Sequence, residues 1–349
     1  MTRGHPVVVK LGTSLVAGHG GRLRRTLLQH RAREIAALVQ EGTPVVVVSS
    51  GAIALGLPRL GLTRRPASVP KLQAASALGQ ARLQAAWDAA LGRHGIQAAQ
   101  ILLTAGDIAE RAAYVNARNA LSALFRLRAV PIVNENDATA TDEITFGDND
   151  ALAAQVAVLV QARLLILLTE VEGVYSQAPG SPGAELIPEG SAARAAALGD
   201  ASPTGKGGMR SKVLAAEMAA SAGIHTVIAG GAGEAVLEPI VAGEARGTVF
   251  EPRSHEHSAF KLWLRFGKPV AGRLHVDEGA RQAVARDGAS LLAIGVERCE
   301  GTFEPGDAVE LVGPDGAAFA KGLASVSAAD LEGRPRGVEA VHRDRLVAY

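Results

Sequence analysis

Val7-Val8-Val9-Lys10 and Val45-Val46-Val47-Val48-Ser49 are unbroken β-branched runs with a helix-period segment between them. Such runs read as strands buried inside a sheet. In the intervening segment Leu27, Leu28, Ile35 and Leu38 recur at helical spacing over Leu23–Gln40, and Glu41-Gly42 ends it. The alternation continues. Lys71–His94 is alanine-rich and helical, Gln97–Leu103 a strand, Tyr114–Leu127 a helix and Val130–Asn134 a strand. Asp150–Val160 then reads as a helix, Leu164–Thr169 as a strand, Ser211–Ala222 as a helix and Thr226–Ala229 as a last strand. This order predicts an α/β domain over 1–250, a mostly parallel sheet sandwiched by helices.

After Phe250 the pattern changes. Residues 251–268 begin with the polar stretch Glu251–His257 and read as a linker. Beyond it Arg273–Val276, Leu291–Ile294, Val309–Val312 and Phe319–Leu323 are short and strand-like. Turn signals such as Glu304-Pro305-Gly306-Asp307 and Gly313-Pro314-Asp315-Gly316 separate them, which predicts a small β-rich domain over 269–349.

A chain of 349 residues with a formal charge of +1 gives no bulk electrostatic reason to bind nucleic acid or a membrane surface. Its single cysteine, Cys299, cannot form an internal disulfide and reads as a packing residue. The opening apolar run is too short for a secretory leader, and no apolar run is long enough to span a bilayer. A cytoplasmic protein is expected.

Four segments carry chemistry. In the first, the strand ending at Lys10 runs into Leu11-Gly12-Thr13-Ser14. Lysine, glycine and hydroxyls at a strand tip suit a phosphate, although a solvated strand end looks similar. Between Met1 and Ala201 the only other lysine is Lys71, which makes Lys10 more informative. The second segment, Ser49-Ser50-Gly51-Ala52, ends a strand with donors that can hold an anion or simply cap a helix. The third pairs Asn134-Glu135-Asn136-Asp137 with Gly147-Asp148-Asn149-Asp150. Its carboxylates can bind an ammonium, bind Mg²⁺ indirectly or orient lysines, and its amides can donate to a carboxylate. The fourth, Gly205-Lys206-Gly207-Gly208-Met209-Arg210-Ser211-Lys212, joins glycines to three positive charges. No G-x-x-x-x-G-K-[ST] loop occurs anywhere, and no G-x-G-x-x-G follows a strand. Together the four suggest a site for a nucleoside triphosphate and a small amino-acid-like partner. Lys10 and Lys212 are the candidates to neutralise charge on a moving phosphoryl group.

Val8-Val9-Lys10-Leu11-Gly12-Thr13-Ser14, Ser50-Gly51-Ala52-Ile53, Asn134-Glu135-Asn136-Asp137, Gly147-Asp148-Asn149-Asp150 and Gly207-Gly208-Met209 resemble, in order and spacing, the glutamate 5-kinases of the amino acid kinase superfamily. The resemblance runs over nearly the whole chain. It implies synthesis of γ-glutamyl phosphate from L-glutamate and ATP with Mg²⁺, the first step of proline biosynthesis. It also implies feedback inhibition by proline, a homo-oligomer (dimer or tetramer) and hand-over to γ-glutamyl phosphate reductase. Carried over by position, Lys10, Asp150 and Lys212 are catalytic, and Ser50, Asn134, Asp137 and Asn149 bind glutamate. Lys10, Gly12, Thr169, Glu170 and Gly205, Lys206, Gly207, Gly208, Met209, Arg210, Ser211 and Lys212 contact ATP. Asp150 would organise the lysines or the metal, and no residue is assigned as a metal ligand. Three positions depart from the family pattern: Glu170 where aspartate is usual, Lys206 where threonine is usual, and Ser211 in place of a common threonine.

From about Pro269 the tail resembles a PUA domain, best at Gly272-Arg273-Leu274-His275-Val276-Asp277-Glu278-Gly279-Ala280 and again at Val341-His342-Arg343-Asp344. It lacks a dense basic patch with interleaved aromatics, so RNA is not an expected partner. His255-Glu256-His257 has the wrong spacing for a helical zinc pair and falls in the expected linker. Trp87 and Trp263 read as core or interface residues. Two other readings stay open: a kinase acting on acetylglutamate, aspartate or UMP, and a non-catalytic relative that binds proline or RNA.

Overall fold

The computed structural model describes residues 4–139, 149–198, 208–244, 246–253 and, from 259 on, all but 263, 266, 267, 269, 332 and 334. His255-Glu256-His257, Trp263 and part of the expected linker therefore lie outside the described residues. The chain divides into two compact units, the first ending at Glu256 and the second beginning at His257.

The first unit is built on a seven-stranded sheet: β1 Val7–Leu11, β2 Val45–Ser49, β3 Ala98–Leu103, β4 Val130–Glu135, β5 Leu164–Thr169, β6 His225–Gly230 and β7 Thr248–Phe250. Its spatial order is β7-β6-β5-β1-β2-β4-β3, and every pairing is parallel except β6 with β7. The helices used below are α1 Arg25–Gln40, α2 Ala52–Gly56, α3 Val69–Gly92, α4 Arg111–Arg126, α5 Asn149–Leu159, α6 Gly190–Leu198 and α7 Met209–Ser221. The expected strands at Val45–Ser49 and Leu164–Thr169 match residue for residue, and the other expected elements shift by up to three residues.

Burial on both faces explains the missing alternation in β1. Val7, Val9 and Leu11 pack on one face with Leu28 and Ile35 of α1 and with Leu83 and Trp87 of α3. By the two-residue period of a strand, Val8 and Lys10 point to the opposite face, which α5 covers. Trp87 is fully buried, and its indole Nε1 donates to Ser49 Oγ at 3.0 Å, so it is a core residue.

Helices α2 and α3 touch backbone to backbone. A Cβ on Gly56 would fall 1.8 Å from the Ala75 carbonyl oxygen, and one on Gly79 would fall 1.8 Å from that of Ala52. The contact holds α3 against the segment that follows Ser50. Gly51, at φ +111°, makes the turn from β2 into α2 in a conformation open mainly to glycine.

The second unit has six strands: β8 Val270–Val276, β9 Leu291–Leu292, β10 Val296–Gly301, β11 Ala308–Val312, β12 Ala318–Ala324 and β13 Glu339–Ala348. They lie in the order β9-β13-β12-β11-β8-β10 around a core that includes Leu274, Phe303, Leu311 and Val341. Only β8 with β11 is parallel. Cys299 is half-buried at the margin of that core. Sequence reading gave no strand at β7, β10 or β13. β13 carries Glu339, Arg343, Asp344 and Arg345, which dilute its apolar signal.

Candidate active site

β1 and β5 are spatial neighbours whose chain connections depart to opposite sides: β1 continues to β2, and β5 continues to β6. Ligands of open α/β sheets sit beyond the carboxyl ends of strands at such a switch point. Every described strand residue among the candidates is at that edge. Lys10 is one residue from the end of β1, Ser50 directly follows β2, Asn134 is next to last in β4 and Thr169 ends β5. Gly12 and Glu170 follow β1 and β5, and the other described candidates come from the turn after β4 and from the start of α5 and α7, the two helices packed on the Lys10 face.

At the centre is Asp150, on the first turn of α5, where a carboxylate complements the helix dipole. Its Oδ1 lies 2.5 Å from Lys10 Nζ, and its Oδ2 lies 3.0 Å from Lys212 Nζ. Ser211 Oγ also donates to Oδ2, at 2.9 Å. Lys10 and Asp150 are only 4% and 3% exposed, so these charges interact with little water between them. Burial alone pushes the Asp150 carboxyl up. The two ammonium groups and their hydrogen bonds outweigh it and hold the carboxyl below the usual aspartate range. Gly12 stands close by: a Cβ there would lie 3.8 Å from Lys10 Nζ.

Beside this centre is a cavity of about 250 Å³ whose lining includes Ser50, Asn134, Asp137 and Asn149. The amide of Asn149 organises it. Nδ2 donates to Ser50 Oγ at 2.8 Å and to Asn134 Oδ1 at 2.9 Å, while Oδ1 accepts from the Glu135 backbone N–H at 3.3 Å. Two residues that sequence reading missed complete the network. Gln80 Oε1 accepts from Asn134 Nδ2 at 2.8 Å, and Ser76 Oγ donates to Asp137 Oδ2 at 2.6 Å. They are four residues apart and so share a face of α3, both buried. Polar residues on the buried face of an alanine-rich helix were the available signal. Burial pushes the Asp137 carboxyl above its usual range, against the hydrogen bond from Ser76 and the charge of Arg65.

The remaining candidates are less concentrated. Glu170 is exposed and opens onto a neighbouring cavity of about 770 Å³, shared with Thr13, Ser14 and Gly18–Gly21. The Thr169 carbonyl accepts from the Gly231 N–H at 2.7 Å. Gly208 and Arg210 are exposed and Met209 is half-buried, at the start of α7. Gly147, Asp148, Gly205, Lys206 and Gly207 lie outside the described residues. No group of three or more His, Cys, Asp or Glu side chains suited to a metal occurs among the described residues.

Comparison with known proteins gives the family. Residues 5–230 match the amino acid kinase family and residues 272–343 match the PUA domain. The chain is 43% identical to the glutamate 5-kinase of Pseudomonas fluorescens strain Pf-5, over 97% of this chain and 96% of the relative. The glutamate 5-kinases of Pseudomonas putida strain F1 and Ectopseudomonas mendocina strain ymp show the same identity and coverage. Among solved structures, the UMP kinase of Bacillus anthracis superposes with a TM-score of 0.50 at 15% identity, covering 72% of this chain and 98% of that one. The last similarity bears on the fold alone. With a family model over residues 5–230 and relatives 43% identical over 97% of its length, the chain belongs to the amino acid kinase family, among its glutamate 5-kinases.

Proposed function

We propose that this chain transfers the γ-phosphoryl group of ATP to the γ-carboxylate of L-glutamate, giving γ-glutamyl phosphate for proline biosynthesis. The observation that carries this reading is Asp150 bridging Lys10 and Lys212 beside the cavity of Ser50, Asn134, Asp137 and Asn149. Two ammonium groups against one carboxylate leave a net positive charge at a nearly dry centre. That surplus is what the γ-phosphate and its developing charge require. Asp150 fixes where the two ammoniums point.

The nucleophile needs no general base, because a glutamate γ-carboxylate is already ionised at neutral pH. One carboxylate oxygen bonds to the γ-phosphorus as the bond from that phosphorus to the β-γ bridging oxygen breaks, and ADP leaves with that electron pair. Catalysis is then alignment and charge neutralisation. Lys10 and Lys212 hold the transferred group, and Gly12 lets the backbone approach it. Thr169, Glu170 and the segment Gly205–Lys212 flank the nucleotide. Asp137 takes the substrate ammonium, and Ser50, Asn134 and Asn149 position the rest of the glutamate. Mg²⁺ supplies Lewis-acid neutralisation on the phosphate oxygens. It would arrive with ATP, next to Asp150, whose oxygens meet Lys10, Lys212 and Ser211.

Proline carries the same ammonium and α-carboxylate as glutamate, which supports inhibition at the Asp137 cavity. Assembly as a dimer or tetramer, delivery of the labile acyl phosphate to γ-glutamyl phosphate reductase and a cytoplasmic location, where ATP is available, complete the proposal. No described helix is long and apolar enough to cross a membrane.

The test is ADP release with ATP, Mg²⁺ and L-glutamate, with hydroxylamine present to trap the acyl phosphate as a hydroxamate. L-aspartate, N-acetylglutamate and UMP run in parallel. Glutamate-dependent ADP and hydroxamate are expected. Turnover with another acceptor alone would move the assignment within the family, and ATP binding without any turnover would overturn it.

A further inference from the structure

We propose that Arg65 anchors the α-carboxylate of the amino-acid substrate and selects for substrates in which that carboxylate is free. The inference rests on the reading of the site as an amino-acid site and adds the group that reads its second charge.

The substrate brings one ammonium and two carboxylates. Its γ-carboxylate must face the lysines where phosphoryl transfer occurs. The ammonium and the α-carboxylate share one carbon, so a substrate whose ammonium meets Asp137 brings its α-carboxylate to the same end of the cavity. Unaccompanied, that carboxylate would face the negative charge of Asp137. Among the described residues of the cavity lining, Arg65 is the only basic one and Asp137 the only acidic one. The two charges match the two charges of the substrate's α-carbon.

The neutral donors of the lining cannot offset the charge of Asp137, and several are already engaged. Both amide hydrogens of Asn149 are committed, to Ser50 and Asn134, and one of Asn134's is committed to Gln80. Lys10 and Lys212 are held by Asp150. The Arg65 guanidinium is close enough for its charge to act on the Asp137 carboxyl. It forms no ion pair within 4.0 Å among the described residues, and it is exposed at the cavity mouth. A planar guanidinium can grip a carboxylate with two parallel hydrogen bonds. Pro66 follows directly, which biases the Arg65 backbone toward an extended conformation ahead of α3.

The test compares the wild-type chain, Arg65→Gln and Arg65→Lys with two acceptors: L-glutamate and L-isoglutamine, in which the α-carboxylate is a neutral amide and the γ-carboxylate is free. Turnover of L-glutamate by the wild type is the entry condition, and its absence would overturn the underlying reading rather than this one. Arg65→Gln is expected to raise KM for L-glutamate by about 10- to 100-fold, with a smaller change in kcat. It should raise KM for isoglutamine much less, so the wild-type preference for glutamate narrows. Arg65→Lys should restore part of the preference. An unchanged KM for glutamate, or an equal rise for both acceptors, would overturn the proposal. Melting curves of both variants guard against loss of fold, which the exposed position of Arg65 does not favour.

Discussion

Lys10 Nζ and Asp150 Oδ1 stand 2.5 Å apart, joining the tip of β1 to the first turn of α5. Lys212 approaches the other oxygen of the same carboxylate from α7. Three elements distant in sequence are thus pinned at one buried point, and the point carries one more positive than negative charge. The charges that would neutralise a transferring phosphoryl group are also part of the packing.

Asp150→Asn removes the negative charge and leaves two ammonium groups facing each other. Breaking a buried charge network in this way typically costs about 3–5 kcal/mol. Activity should fall further than stability explains. A drop of at least ~100-fold in kcat is expected, because the ammoniums lose the orientation they need in the transition state. Lys10→Met should give a comparable loss in kcat with a smaller loss of stability, since Asp150 keeps Lys212. Denaturant titration and the coupled ADP assay measure both quantities.

The same carboxylate makes stability depend on pH in the acid range. Its folded pKa lies below the ordinary value of 3.8, so the unfolded chain binds the proton first as pH falls. The contribution of Asp150 is therefore fully present above that ordinary value and is lost as pH drops through the folded pKa. The stability gap between wild type and Asp150→Asn should be constant from pH 5 to 7 and shrink below ~4. Urea midpoints measured across that range would show it, and a gap that widened toward low pH would reverse the assignment.

Asp137 behaves oppositely. Burial raises its pKa above the ordinary 3.8, and only its ionised form pairs with a substrate ammonium. The kcat/KM for L-glutamate should fall as pH drops through that raised value. The Ser76 hydroxyl stabilises the ionised form, so Ser76→Ala should move this acid limb to higher pH. Superimposable profiles for the two proteins would show that Ser76 does not act through Asp137.

The architecture was legible because β1, β2 and β5 are buried on both faces, so their sequences are apolar throughout and bounded by helical periods. The lysine, serine, asparagine and aspartate positions were legible as short polar clusters at strand ends. What escaped was what depends on one helix lying against another. Ser76 and Gln80 are unremarkable in the sequence of α3, and only its packing brings them under Asp137 and Asn134. Arg65 likewise lies between elements, where no periodicity marks it. β7 is three residues at an antiparallel edge, too short to register as a strand.

Gly79→Ala tests how closely α3 must pack. The added Cβ would sit 1.8 Å from the Ala52 carbonyl oxygen, and backbone cannot yield as a side-chain end can. Overpacking of this kind typically costs about 1–3 kcal/mol. The helix must also move away from α2, carrying Ser76 and Gln80 with it. A raised KM for L-glutamate at little-changed KM for ATP is expected, read from initial rates. Equal effects on both substrates would mean that the displacement spreads through the sheet.

A last relationship links α1 to the loop after β6. Arg31 is fully buried, and its Nη2 donates to the carbonyls of Gly233 at 2.6 Å and Glu234 at 2.9 Å. Glu34, 2.9 Å from Arg31 Nη2, accepts the backbone N–H groups of Val236 and Leu237 at 2.6 and 2.7 Å. One ion pair therefore holds both polarities of that loop's backbone. The loop begins at Gly231, whose N–H reaches the Thr169 carbonyl at the end of β5. Arg31→Met would leave Glu34 buried without its cation and should cost about 3–5 kcal/mol. Adding Glu34→Gln removes the stranded charge while keeping an oxygen for the two N–H groups, so the double variant should be more stable than Arg31→Met alone. If the strut also sets the position of Thr169, Arg31→Met will raise KM for ATP more than KM for glutamate. Denaturation of the four-member cycle gives the coupling, and the KM pair separates a strut for the nucleotide edge from one that serves stability only.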